Sequence, residues 1–235
     1  MNNEKARLDK MLNEHKISQE DYSVLSKALH RKTFYTKMQS QFWLNPFQKI
    51  AGFKALLIGM IILLVISYLG VIAKVYFLGP IGIINASALA TQTNATGFLF
   101  LTYQNIVSWL TLSILFIVTA KILQKQKLRI VDFVGTVVFA QYPTLFNVMF
   151  IGISRIIFPN LWDVDMSKGM PIHASIGQYI NGVVVSVLIV WQIITYFYAF
   201  KESSGLLEKK LWIGFLVSII AAGFIANPLT TMFMN

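Results

Sequence analysis

Five apolar runs dominate this chain, over residues 55–73, 99–120, 131–150, 180–200 and 211–233. Each approaches the length of about 20 residues that an α-helix needs to cross the hydrocarbon core of a bilayer. A segment confined to lipid has no water to satisfy its backbone N–H and C=O groups, so each run must pair them internally as a helix. The expected fold class is therefore all-α: a polytopic membrane protein with five transmembrane helices. Composition agrees, with 56% hydrophobic residues and a mean hydropathy of +0.63. The chain contains no cysteine, which excludes disulfides, thiolate metal ligands and cysteine nucleophiles.

The charge pattern sets an orientation. Of the 20 Lys and Arg residues, ten precede the first run, four lie between the second and third, and three between the fourth and fifth. Only Lys74, Arg155 and Lys168 fall on the opposite side, a split of 17 against 3. The positive-inside rule then predicts a cytoplasmic N-terminus and an outer C-terminus, and it accounts for the net charge of +10 without nucleic acid. No cleavable signal peptide is expected, because the first fifty or so residues are polar and charged.

Three regions follow from these patterns: residues 1–33 as a short cytoplasmic helical hairpin, 34–50 as an aromatic and basic interfacial segment, and 51–235 as the transmembrane domain. In the hairpin, Ser18 is placed to cap a helix with Asp21 three residues on, and Ile17 and Tyr22 fit a hydrophobic staple. Tyr22, Leu25 and Leu29 share one apolar stripe, too small to be stable alone, so they are the candidate cytoplasmic contact residues. In the interfacial segment Trp43 and Phe47 are candidate membrane anchors, and the neighbouring lysines suit anionic headgroups. Asn45-Pro46 reads as the start of a helix that runs unbroken into the first span, and residues 76–97 read as an outer loop.

Chemistry inside a membrane usually announces itself as buried ionisable side chains, because burying them is costly. Here Lys54, Lys74, Lys121, Asp132, Arg155 and Lys201 all fall at span ends, where long side chains can reach water. That pattern argues against a proton-driven carrier or an intramembrane protease, and no metal-ligand or phosphate-binding spacing is present. No cofactor or metal is expected. Asp163, Asp165 and His173 on the outer face form a weak metal-like grouping, more simply read as a solvated loop.

The third span is the most distinctive, with Gln141-Tyr142-Pro143-Thr144 at its centre and Asn147 one turn beyond. Pro143 should kink the helix. The polar side chains need partners, for which Gln104, Asn105, Asn181 and Gln192 are candidates. Hydrogen bonding that sets helix packing is the simpler reading; a small polar cavity or hinge is the functional one. Two spans carry small residues at four-residue spacing, Ala51, Ala55 and Gly59 in the first and Gly214, Ser218 and Ala222 in the fifth. Such seams serve either the bundle itself or an oligomeric partner.

The layout, together with Asn45-Pro46-Phe47 and the proline-kinked Gln141-Tyr142-Pro143-Thr144-Leu145, resembles the Yip family of five-span membrane proteins over about residues 45–233. Gly79-Pro80 lies in an outer connection here, not where eukaryotic members carry such a pair, so the resemblance is to bacterial members. It implies no catalytic residues. Eukaryotic members are associated with vesicle trafficking and Rab-type GTPases, and some bacterial members with assistance to an ABC-type exporter. The stretch Lys16-Ile17-Ser18-Gln19-Glu20-Asp21-Tyr22 is similar to short bacterial oligomerisation modules.

The resulting expectation is a non-enzymatic protein of a bacterial inner (plasma) membrane. It would organise or assist other membrane components as a homo-oligomer or within a membrane-protein complex. The alternatives are a small transporter or channel subunit gated at the third span, and an outer-face lipid-modifying enzyme using Asp163, Asp165 and His173.

Overall fold

The computed structural model describes residues 42–85, 97–124, 128–158 and 176–232, together with residues 10–12, 14, 17–19, 21–23 and 25–26 nearer the N-terminus. The chain divides into two compact units, Met1–Pro46 and Phe47–Asn235. Leu29, Asp163, Asp165 and His173 lie outside the described residues.

In the first unit the expected cap is present. The Ser18 hydroxyl accepts from the Asp21 backbone N–H at 3.0 Å and donates to the Asp21 carboxylate at 2.7 Å. The Ser18 N–H points to the same carboxylate at 3.4 Å, which completes the reciprocal capping box with Asp in the Glu position. Tyr22 is half-buried and Leu25 exposed. Phe42 and Trp43 meet edge to face at 6.2 Å, and Trp43 remains 63% exposed.

Among the described residues, the second unit is a helical bundle with one short hairpin. Its elements are α1 (Gly52–Ala73), β1 (Val75–Leu78), β2 (Gly82–Asn85), α2 (Phe98–Leu123), α3 (Ile130–Phe139), α4 (Tyr142–Ile157), α5 (Ile176–Ser204) and α6 (Glu208–Thr231). Among the described residues, five helical segments are long and apolar enough to cross a membrane, with α3 and α4 together making the third, Ile130–Ile157. The chain is an integral membrane protein of the all-α class. The end where α1 starts is here termed proximal and the end where it finishes distal.

The packing follows from where small side chains lie. α1 runs along α3 and α4, α2 along α6, and α5 along α3 and α4. At the closest approach of α1 and α3, a Cβ on Gly59 would stand 2.5 Å from Val138 Cγ1 and 2.6 Å from the Phe139 nitrogen, so only glycine fits. Gly135 on α3 faces the Gly52 carbonyl in the same way. The proximal half of the core is aromatic. Phe116 of α2 lies 4.6 Å from Phe200 of α5 and 6.1 Å from Phe215 of α6, centroid to centroid. Residues facing away from this core (Ile61, Val183, Trp212, Phe224) are large, apolar and exposed, as a lipid-facing surface requires.

Several sequence expectations need correction. The helix from Pro46 is not continuous with the first span. Pro46–Gln48 forms a single 3-10 turn, Ala51 is extended, and α1 begins at Gly52 with φ of +61°, a left-handed conformation open to glycine. Phe47 is no surface anchor: it is 2% exposed and packs edge to face on Phe139 at 5.9 Å. Ala51, placed in the first-span seam, is exposed ahead of the helix, and Gly52 with Ala55 and Gly59 makes the contact face instead.

The largest departure is the segment after α1. Residues 76–97 read as an outer loop in the sequence, yet Val75–Leu78 and Gly82–Asn85 pair as an antiparallel hairpin in the register Tyr76 to Ile84 and Phe77 to Ile83. Lys74 turns the chain back with φ of +49°. The Arg155 guanidinium donates to the freed carbonyls of Ala73 at 2.8 Å and Lys74 at 3.3 Å, a cationic cap on the C-terminus of α1. Val75, Tyr76 and Phe77 are almost fully buried, and Gly79 approaches Ala226 and Asn227 of α6. At about 3.3 Å per residue, four strand residues carry the turn roughly 13 Å back into the bundle, close to half of a 30 Å hydrocarbon core. Non-helical backbone at such depth persists only when protein surrounds it.

Candidate functional site

The candidate site is where the break between α3 and α4 meets the hairpin turn at mid-height of the bundle. Pro143 has no N–H to donate and its ring clashes with the preceding turn, so the helix stops at Phe139 and restarts at Tyr142, with Pro143 in the first turn of α4. The break exposes a carbonyl end of α3 and an N–H end of α4 in surroundings without bulk water. Both are met by one side chain. The Gln192 carboxamide of α5 donates from Nε2 to the Ala140 carbonyl at 2.8 Å. Its Oε1 accepts from the Thr144 N–H at 3.1 Å and the Thr144 hydroxyl at 2.9 Å. The Thr195 hydroxyl shares its one proton between the Gln192 carbonyl at 2.8 Å and the Ala140 carbonyl at 3.2 Å.

The hairpin is tied in similarly. The Phe77 N–H donates to Gln104 Oε1 at 3.0 Å, and Gln104 Nε2 donates on to the Thr230 carbonyl of α6 at 3.1 Å. The Tyr196 hydroxyl donates to the Pro80 carbonyl at 3.1 Å. Asn105 donates to the Ser67 hydroxyl at 3.1 Å and to the Leu101 carbonyl at 3.0 Å, linking α2 to α1. A cavity of about 10 Å³ remains between the turn and the break, lined by residues of the hairpin together with Asn105, Ser108, Gln141, Thr144 and Tyr196. Gln141 is 4% exposed and its Oε1 has no partner among the described residues.

Of the polar residues singled out in the third span, the structure brings Gln141 and Thr144 to the cavity. Tyr142 turns instead to Trp191 of α5, edge to face at 5.5 Å. Asn147 is buried with an unpartnered Oδ1 but does not line the cavity. Among the proposed partners, Gln192, Gln104 and Asn105 enter these networks, whereas Asn181 lies near the distal end of α5. There it lines a separate apolar cavity of about 540 Å³ between α4 and α5. Sequence reasoning missed the hairpin, Thr195 and Tyr196; the only local signal for the hairpin was the turn-forming Gly79-Pro80.

The fifth-span seam is used inside the chain. Gly214 lies against Leu123 and Phe200, and the Ser218 hydroxyl donates to Thr119 at 2.8 Å. Ala222 is fully buried. At the proximal end the Thr136 and Ser203 hydroxyls share a hydrogen bond of 2.8 Å, joining α3 to α5. Among the described residues no three His, Asp or Glu side chains are placed to hold a metal ion.

The arrangement can lock helices and position a re-entrant turn. Comparison with protein-family models, curated proteins and solved structures finds no match to this chain.

Proposed function

We propose that this integral membrane protein is non-enzymatic and acts by contact, organising or assisting other membrane components. The observation that carries the reading is the tied interior. The Ala140 carbonyl and the Thr144 N–H, one on each side of the break, are paired within the chain, and the remaining cavity has room for one water at most. Groups committed in this way set packing and leave little for turnover of a substrate. The five-span layout supports the same direction through its resemblance to bacterial Yip-family proteins, for which assistance to an ABC-type exporter is one concrete form.

In this reading the basic N-terminal side faces the cytoplasm of a bacterial inner membrane and meets anionic headgroups, and the C-terminus lies outside. Tyr22 and Leu25 carry the cytoplasmic contact, to a second copy or to another membrane protein. Recovery of the tagged chain from native membranes in mild detergent, followed by mass spectrometry, tests it. A membrane protein at fixed stoichiometry, lost with Leu25→Asp, is expected. Recovery of the chain alone counts against it.

One observation favours a second reading, a small transporter or channel subunit. A re-entrant turn meeting a broken span at mid-height is an arrangement in which half-helix ends can serve a solute. In this structure Gln192 occupies both ends. Solute flux in proteoliposomes that disappears with Pro143→Ala would establish that reading.

A further inference from the structure

We propose that the cavity between the hairpin turn and the break in the third span is a binding site for one water molecule, held by the Gln141 carboxamide oxygen. Three observations carry this independently of the contact reading. The first is size: about 10 Å³ is at the lower limit for a single water and too small for an organic solute. The second is the orphaned acceptor. Gln141 is 4% exposed, its Oε1 is unpartnered among the described residues, and it lines the cavity. A buried acceptor left without a donor is costly, and lipid around the bundle offers it no alternative.

The third is the chemistry of the remaining wall. The Ser108 hydroxyl already donates to the Gln104 carbonyl at 2.8 Å. Those of Thr144 and Tyr196 donate to Gln192 at 2.9 Å and Pro80 at 3.1 Å. Their protons are committed and the Tyr196 oxygen is already engaged by the Gln141 side chain, so the Ser108 and Thr144 hydroxyls can only accept, and the fitting occupant is a molecule that supplies two protons. Water does: one to Gln141 Oε1 and one to a lining hydroxyl. A monovalent cation also suits acceptors, but no carboxylate lines the cavity to offset the cost of burying its charge. The bound water would join the hairpin turn to α2, α4 and α5 in one network.

The test is a high-resolution map of the full chain in nanodiscs, paired with thermal unfolding. One density peak at roughly 2.7–3.1 Å from Gln141 Oε1 is expected, and it should vanish in Gln141→Met. A cavity without density, in a map that shows ordered water elsewhere in the bundle, overturns the proposal. So does Gln141 Oε1 found accepting from the Tyr196 hydroxyl, which would leave no orphaned acceptor. Unfolding midpoints in sodium, potassium and choline chloride at equal ionic strength should coincide. A midpoint raised by sodium or potassium in the wild type but not in Gln141→Met identifies a cation and overturns the water. If Gln141→Met does not fold, the wild-type map and the salt comparison still decide.

Discussion

Replacing Gln192 by Met removes the one side chain that bridges the broken third span while nearly preserving its volume. Three hydrogen bonds disappear, at 2.8, 3.1 and 2.9 Å. Hydrogen bonds between membrane helices average about 0.6 kcal/mol and reach about 1.7, so three of them amount to roughly 2 kcal/mol, with a ceiling near 5. The lower figure applies here, because two of the partners have reserves. The Ala140 carbonyl keeps a share of the Thr195 hydroxyl at 3.2 Å, and the Thr144 N–H keeps the Gln141 carbonyl at 2.9 Å. For a chain of this size each kcal/mol moves the midpoint by about 2–4 °C, so Gln192→Met should lower Tm by roughly 4–8 °C. Thermal unfolding in detergent reads this directly, and Thr144→Val should cost less in the Gln192→Met background than alone. An unchanged midpoint, or fully additive losses, would refute the view that this amide holds the two half-helices together.

Other outcomes follow from the same geometry. Gly59→Val drives carbon atoms into Val138 and the Phe139 backbone at about 2.5 Å and should cost about 1–3 kcal/mol or more. Gly182→Ala, which meets nothing within 4 Å, should leave the Tm unchanged or raise it. Phe47→Ala should lose about 3–5 kcal/mol as a core deletion, whereas Trp43→Ala, at a 63% exposed position, should stay within about 0.5 kcal/mol; parallel melts separate a core role from an anchor role. Tyr196→Phe releases the Pro80 carbonyl and should raise amide exchange across Val75–Leu78 more than across α1, read by hydrogen–deuterium exchange.

What the sequence made legible is what periodicity and burial cost dictate. Runs of the right length had to be helices, Ser18 and Asp21 had the spacing of a cap, and Pro143 had to kink the third span. Gln192 was identifiable as a partner because an amide inside an apolar helix needs one. The hairpin was not legible, because Val75-Tyr76-Phe77-Leu78 is apolar on both faces and lacks the alternation that marks a half-buried strand. Small-residue spacing predicts close approach but not its partner, so Gly214, Ser218 and Ala222 fitted an internal seam and an oligomer interface equally until Leu123, Phe200 and Thr119 were found against them. Phe47 and Trp43 share an aromatic, basic segment, and only the tertiary contact with Phe139 distinguishes a core residue from an exposed one.

The central claim is that the interior at the break is a lock and not a path. Flux through the purified chain reconstituted in liposomes measures this most directly, with protons, sodium, potassium and glycerol as probes. The account predicts rates equal to those of empty liposomes for the wild type. Flux above that background, abolished by Pro143→Ala, would contradict it and make the broken third span a gate.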